Sequence, residues 1–201
     1  NTLGISLLFI DTAYNTDFTQ IDADFLMMEN RTSVYNLTDT LIQKGYTSLA
    51  FAGNRKHCRS FLERYQGFMD AIMENGLTPH TTQFANTNVF ANTSLLEETI
   101  KRTLQLPEVF VCANDAIAID LIHSLKKLGI QIPEEVLITG FDNSSESQII
   151  EPHLTTVDIP SSRIGYIAAD LLLSRIREPE TPYRITYVQT TVKYRESTGK
   201  L

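Results

Sequence analysis

Two short stretches carry the residue types best suited to holding a small polar molecule. Ala113-Asn114-Asp115 follows the apolar run Val109-Phe110-Val111-Cys112, and Gly140-Phe141-Asp142-Asn143 follows Val136-Leu137-Ile138-Thr139. Each run has the length and make-up of a strand, so two consecutive strands deliver an amide and a carboxylate to their C-terminal ends. Carboxylates accept hydrogen bonds and carboxamides both donate and accept, which fits a ligand rich in hydroxyls. In an open parallel sheet, ligands bind at the carboxyl ends of the strands.

Nothing comparable points to catalysis. The chain has no G-x-S-x-G elbow, no G-x-x-x-x-G-K-[ST] phosphate loop and no G-x-G-x-x-G. His57, His80, His123 and His153 are scattered, and Cys58 and Cys112 form no CxxC or Cys/His ligand spacing, so neither a metal nor a cofactor is expected. Asp and Glu pairs occur, but none is singled out by position.

Strands alternating with helices must position these residues. Leu3 to Ile10 is an apolar run ending at Asp11. Val34, Leu37, Leu41 and Ile42 repeat at helical spacing between Thr32 and Lys44, and Gly45 stops that helix. A strand over Ser48 to Ala52 leads through Gly53-Asn54-Arg55-Lys56 into a helix from about Ser60 to Glu74, with Asn75-Gly76 as its C-cap signal. Thr81 to Ala85 reads as a short strand and Asn86 to Asn92 as a loop around Phe90. Helices are expected from Thr93 or Ser94 to Leu104, up to Lys127 before Leu128-Gly129, and over Arg163 to Arg177, with β-like runs at Tyr183 to Gln189 and Thr191 to Tyr194. The alternation argues for an α/β fold, doubly wound with mostly parallel sheets.

Composition bounds the partners. The chain has 201 residues, 42% hydrophobic and 20% charged, which is ordinary globular material rather than a disordered tract. A net charge of -7 argues against this piece gripping a phosphate backbone, because nucleic-acid binders present a basic face. Two cysteines in this setting read as reduced thiols, and no apolar run reaches the ~18 residues needed to span a bilayer.

The motifs also carry a resemblance. Cys112-Ala113-Asn114-Asp115, Gly129 with Ile132-Pro133, Ile138-Thr139-Gly140-Phe141-Asp142-Asn143 and Pro152-His153-Leu154-Thr155-Thr156-Val157 occur in order, preceded by Glu63-Arg64-Tyr65-Gln66-Gly67-Phe68 and followed by Arg195-Glu196-Ser197-Thr198. The set resembles the effector-binding domain of the LacI/GalR family of bacterial transcription regulators. That resemblance implies a periplasmic-binding-protein-like, two-lobed fold. Residues 1–26 and 159–188 would form an incomplete N-terminal lobe, and residues 27–158 and 189–201 a whole C-terminal lobe. The family's helix-turn-helix headpiece, hinge helix and first three βα units have no counterpart here, so operator DNA would be met only through a headpiece absent from this chain. This 201-residue piece is expected to bind effector more weakly than a full effector domain.

The resemblance further implies a small effector, a sugar or sugar phosphate, held between the lobes by Asp11, Arg64, Asn114 and Asp142, with Phe90 packing on its ring and Ser60 a further neighbour. Each has an ordinary alternative: Asn114 as a helix N-cap, Arg64 as a surface ion pair with Glu63, Asp11 as a turn residue, and Asp142-Asn143 as an Asx turn. The implied protein is a cytoplasmic homodimer. Ile117, Ile119, Leu121, Ile122 and Leu125 exceed one buried stripe and suggest an interface on that helix. An extracytoplasmic sugar-binding protein and a sugar-acting enzyme remain as alternatives.

Overall fold

The computed structural model describes residues 5–11, 17–85, 90 and 92–199. In chain order its strands are β1 (Leu8–Ile10), β2 (Asp24–Met28), β3 (Leu49–Ala52), β4 (Val109–Cys112), β5 (Leu137–Thr139), β6 (Thr156–Asp158), β7 (Ile185–Val188) and β8 (Thr191–Lys193). The helices are α1 (Arg31–Gln43), α2 (Arg59–Glu74), α3 (Thr93–Arg102), α4 (Asp115–Lys127) and α5 (Ser161–Arg177). Two three-stranded sheets, β1-β2-β7 and β3-β4-β5, are parallel throughout.

The β3-β4-β5 sheet is covered on both faces, which is why its strands are almost entirely apolar. Alternation along each strand sorts the side chains. Phe51, Val109, Val111 and Leu137 meet Val34, Leu37 and Leu41 of α1 and Phe68 and Ile72 of α2. Ala50, Phe110, Cys112 and Ile138 meet Leu96 and Ile100 of α3 and Ala118, Leu121, Ile122 and Leu125 of α4. Ala50 stands beside Phe110 in register, so a small residue makes room for a large ring that packs edge-on against Phe84. Ile117 touches both clusters and Ile119 packs on one. Leu121, Ile122 and Leu125 are thus spent on the core, while Ile117 and Ile119 pack against it and stay half-buried.

Strand β2 is the central strand of the other sheet, and no strand was expected there. All five of its residues are buried, with Leu26 and Met28 facing Ile164 and Ala168 of α5, and Phe25 and Met27 packing with Leu7, Phe18 and Ile21 on the opposite face. It continues two residues past the crossover expected near Leu26, pairing Met28 with Val188. Asp24 at its start forms a buried pair with Arg175 at the end of α5, at 2.8 and 3.0 Å, while the Arg184 amide donates to the same carboxylate at 2.8 Å. Thr81 to Ala85 is also not a strand: Gln83–Ala85 is a 3-10 turn whose Phe84 and Ala85 carbonyls accept from Gly53 and Arg55.

The chain leaves the first sheet after β2, returns after β6 and leaves again after β7. Strand β6 pairs antiparallel with β8, and bridges at Thr139–Thr155 and Asp142–Asp158 attach it to β5. Thr190, between β7 and β8, donates to the Glu29 carbonyl at 3.0 Å and lies 2.6 Å from the Ser33 hydroxyl, which stitches two of these crossings together.

Candidate functional site

Three strand ends converge beside α2. Asp11 follows β1, Ala113-Asn114 follows β4, and Asp142 follows β5. Asp11, Asp142 and Asn143 hold left-handed φ angles of 71°, 115° and 51°, and among the described residues they are the non-glycine positions with positive φ. Such backbone costs ~1–3 kcal/mol per residue, persists where its surroundings over-determine it, and clusters at binding sites.

Arg64 joins two of these ends. Its guanidinium carbon lies over the Phe141 ring, 3.6 Å from the centroid, and Nη1 donates to the Ala113 carbonyl at 2.7 Å. The same nitrogen lies 3.5 Å from Asp142 Oδ1, and Nε donates to Asn30 Oδ1 at 2.9 Å. This side chain is buried, so the surface ion pair with Glu63 is not its role: Glu63 accepts from Arg59 and Asn30 instead. Burial pulls the Arg64 pKa below its ordinary value, opposed by the charges of Asp142 and Asp11.

Burial pushes the Asp142 carboxyl up to about 6; Arg64 opposes that shift, while Asp115 and Asp11 add to it. Its side chain nevertheless keeps 38% of its surface open. Asp11 Oδ1 is buried and has no hydrogen-bond partner among the described residues. A buried acceptor left unsatisfied costs ~1–3 kcal/mol, and a ligand hydroxyl would remove that cost.

The other expected residues divide. Asn114 is the N-cap of α4, its Oδ1 accepting from the Ile117 amide at 3.0 Å, and its NH2 takes no part in the cap. Ser60 lies buried in the first turn of α2, 3.2 Å from the Cys58 thiol. Phe90 packs against the α3–α4 core cluster, and no described contact brings it to Arg64 or Asp142. Residues 86–89 and 91 lie outside the described residues.

Sequence reasoning missed what holds the site. Asp115, buried at the start of α4, accepts from Thr156 Oγ1 at 2.5 Å and from the Ser144 amide at 2.8 Å, locking the turn after β5 to β6. Its carboxyl is raised by burial, against those hydrogen bonds. Arg195 reaches Asn143 Oδ1 at 2.5 Å and the Leu154 carbonyl at 2.8 Å, and Asn143 donates on to Asp158 at 2.8 Å. The motif at 195–198 is thus a clamp on the Asp142-Asn143 turn. Among the described residues no group of three His, Cys, Asp or Glu could hold a metal, and no described helix is long and apolar enough to cross a membrane.

Comparison with known proteins places this arrangement. Residues 38–198 match the model of the periplasmic binding protein-like domain. The HTH-type transcriptional repressor PurR of Vibrio vulnificus is 28% identical over 180 residues, covering 89% of this chain and 54% of its own length. The regulator GntR of Escherichia coli K12 is 30% identical over 156 residues, covering 77% of this chain and 46% of its own. The chain therefore spans about half the length of the curated relatives it matches. A LacI family regulator from Enterococcus faecium, solved with bound ribose, superposes with a TM-score of 0.81 at 22% identity, over 98% of this chain and 72% of that one. The regulator CelR in complex with cellobiose also gives 0.81, at 21% identity, over 94% of this chain and 58% of its own. These structural likenesses establish the fold.

Proposed function

The chain belongs to the periplasmic binding protein-like domain family, and from that premise we propose that it is the effector-sensing part of a bacterial transcription regulator of LacI/GalR type. The observation that carries this is the meeting of Asp11 and Asp142, at strand ends of two sheets, with Arg64 of α2, where a buried Asp11 oxygen has no hydrogen-bond partner among the described residues. Asp11, Arg64, Asn114 and Asp142 contact the effector. Phe90, half-buried against the α3–α4 core cluster, packs on the effector ring with its remaining exposed surface.

The electrostatics favour a neutral, hydroxyl-rich effector. Two carboxylates present acceptors, while the Arg64 donors at Nε and Nη1 already serve Asn30 and Ala113. A ligand bringing donors finds partners, whereas a phosphate or acid meets like charge. Ribose and cellobiose in the structural neighbours fit this class.

With the boundary moved to the end of β2, residues 1–28 and 159–188 form one lobe and 29–158 and 189–201 the other, and the effector biases their closure. A helix-turn-helix segment such as the relatives' names declare reads that bias as operator affinity. The protein is cytoplasmic and works as a pair of chains. Both relatives are regulators, which supports this reading over an extracytoplasmic binding protein or an enzyme.

Thermal-shift and calorimetric titration of the chain against neutral sugars, sugar acids and sugar phosphates tests the proposal. Neutral sugars should raise the melting temperature of the native chain and not that of Asp142→Ala. A panel in which no sugar binds, or only phosphates do, would overturn it. Light scattering at high concentration tests the pairing.

A further inference from the structure

We propose that Asn30 is a positioning residue that fixes Arg64 in the site and ties it to the point where the chain leaves the first sheet. It occupies the N-cap position of α1, where an Asn side chain ordinarily accepts from the backbone of the first turn. Here it makes no such bond. Glu29 takes over, accepting from the Thr32 and Ser33 amides at 2.7 and 2.9 Å. The Asn30 carboxamide is thereby free to turn inward, and it is 1% exposed.

Both of its functional atoms are committed across the crossover. Oδ1 accepts from Arg64 Nε at 2.9 Å, and Nδ2 donates to the Met28 carbonyl and to Glu63 Oε2, each at 3.0 Å. Met28 is the last residue of β2, and the next amide, Glu29, donates to Val188 at 2.8 Å to close the strand pair. Arg64 sits four bonds' reach away from its own backbone and can swing unless both ends are fixed. Ala113 fixes Nη1, Phe141 supports the plane, and Asn30 sets the rotation about Nε. Movement of the guanidinium toward a ligand must therefore pull on the amide that also grips Met28. Only a group that donates and accepts at once can make this link. The inference rests on the effector reading for what Arg64 does, but not for how Arg64 is held.

The test is nuclear magnetic resonance on the whole chain without ligand, reading the Arg64 Nε–H signal, assigned by its loss in Arg64→Lys, and the amide exchange of Glu29. In Asn30→Ala the Nε–H should exchange at least tenfold faster. In Asn30→Asp it should be retained, because the acceptor remains. That variant should melt lower than Asn30→Ala: both lose the donor to the Met28 carbonyl, but only Asp brings a second carboxylate against Glu63 and that carbonyl oxygen. Stability and Arg64 placement thus move in opposite directions, which a merely structural role would not produce. Arg64→Lys should change Glu29 exchange several-fold in the Asn30 background and leave it unchanged in Asn30→Ala. Arg31→Ala, which breaks the exposed Arg31–Asp70 pair between the same two helices, is the control and should leave the Nε–H signal alone. Unchanged Nε–H exchange in Asn30→Ala, or a Glu29 response to Arg64→Lys that survives the loss of Asn30, would overturn the inference. A native chain that binds no sugar would end the effector reading and leave these measurements standing.

Discussion

Arg64 Nη1 lies 3.5 Å from Asp142 Oδ1, yet the Asp142 carboxyl is held up at about 6 rather than drawn down by its cationic neighbour. Burial is the larger effect, and the charges of Asp115 and Asp11 reinforce it. One guanidinium is being shared among several carboxylates, so none is fully compensated. An acceptor poised in this way is suited to taking hydroxyl donors from a ligand.

Asp142 should titrate within the accessible pH range. Its folded-state value, about 6, lies above the ordinary 3.8, so between these limits the folded chain holds a proton that the unfolded chain has released. The stability it contributes is full below the ordinary value and lost as pH rises through about 6, and Asp142→Asn should flatten that part of the profile. Sugar binding should run the other way, strengthening as the carboxylate ionises. Carbon-13 carboxyl shifts and calorimetry at about pH 5 and about pH 7.5 check both signs. A flat binding profile would mean that the ligand does not use Asp142.

Gly67→Ala should destabilise the chain more than its single methyl suggests. An added Cβ would collide with the Arg31 carbonyl oxygen and crowd the Tyr35 amide, so α1 and α2 would have to separate. Overpacking against backbone costs at least ~1–3 kcal/mol, and the displaced helix carries Arg64. Chemical denaturation measures the loss, and sugar affinity should fall with it. A Gly67→Ala chain as stable as the native one would show that the two helices part more easily than their close approach implies.

The β3-β4-β5 half was legible because its strands are short apolar runs ending in Asn and Asp, buried on two faces. The other half was not. Strand β2 is Asp24-Phe25-Leu26-Met27-Met28, whose Leu and Met are good helix formers and whose central place in the sheet depends on partners far along the chain. Asn114 turned out to be a cap, which does not compete with a contact from its NH2 group. Asn30 and Asp115 were invisible for one reason: their partners Arg64 and Thr156 lie 34 and 41 residues away, and nothing local marks the pairing. Thr81 to Ala85 looked extended because Thr-rich segments favour strands, but the neighbouring backbone is met by the Gly53 and Arg55 amides in place of a ladder.

Asp24→Asn should be among the most damaging substitutions away from the site. Burial raises the Asp24 carboxyl, but the hydrogen bonds from Arg175 and the Arg184 amide outweigh it and hold it below the ordinary carboxylate value. Arg175 also donates to the Pro179, Thr181 and Pro182 carbonyls, so the pair closes the chain between α5 and β7. Leaving Arg175 buried without its counter-charge costs ~3–5 kcal/mol, or roughly 6–20 °C in a chain of this size. Because the folded value is depressed, this stability is present above the ordinary value of 3.8 and lost as pH falls through the folded one. Thermal melts of both proteins from neutral to acid pH should therefore converge.

Asp11→Gly should separate function from stability. The native residue combines a left-handed φ of 71° with a buried carboxylate oxygen that has no hydrogen-bond partner among the described residues, and both are costs to the fold. Glycine adopts that backbone freely and removes the oxygen, while the Asp11 amide keeps its 2.9 Å bond to the Leu26 carbonyl. Relief of ~1–3 kcal/mol of strain, less ~0.5–1 kcal/mol for the greater chain entropy of glycine, leaves the melting temperature equal or higher. Sugar affinity should fall at least about tenfold, since a hydrogen bond between a charged acceptor and a hydroxyl is worth ~1.5–3 kcal/mol and ~1.4 kcal/mol is a factor of ten. A destabilised variant with unchanged affinity would reverse both halves of the argument and move the ligand away from β1.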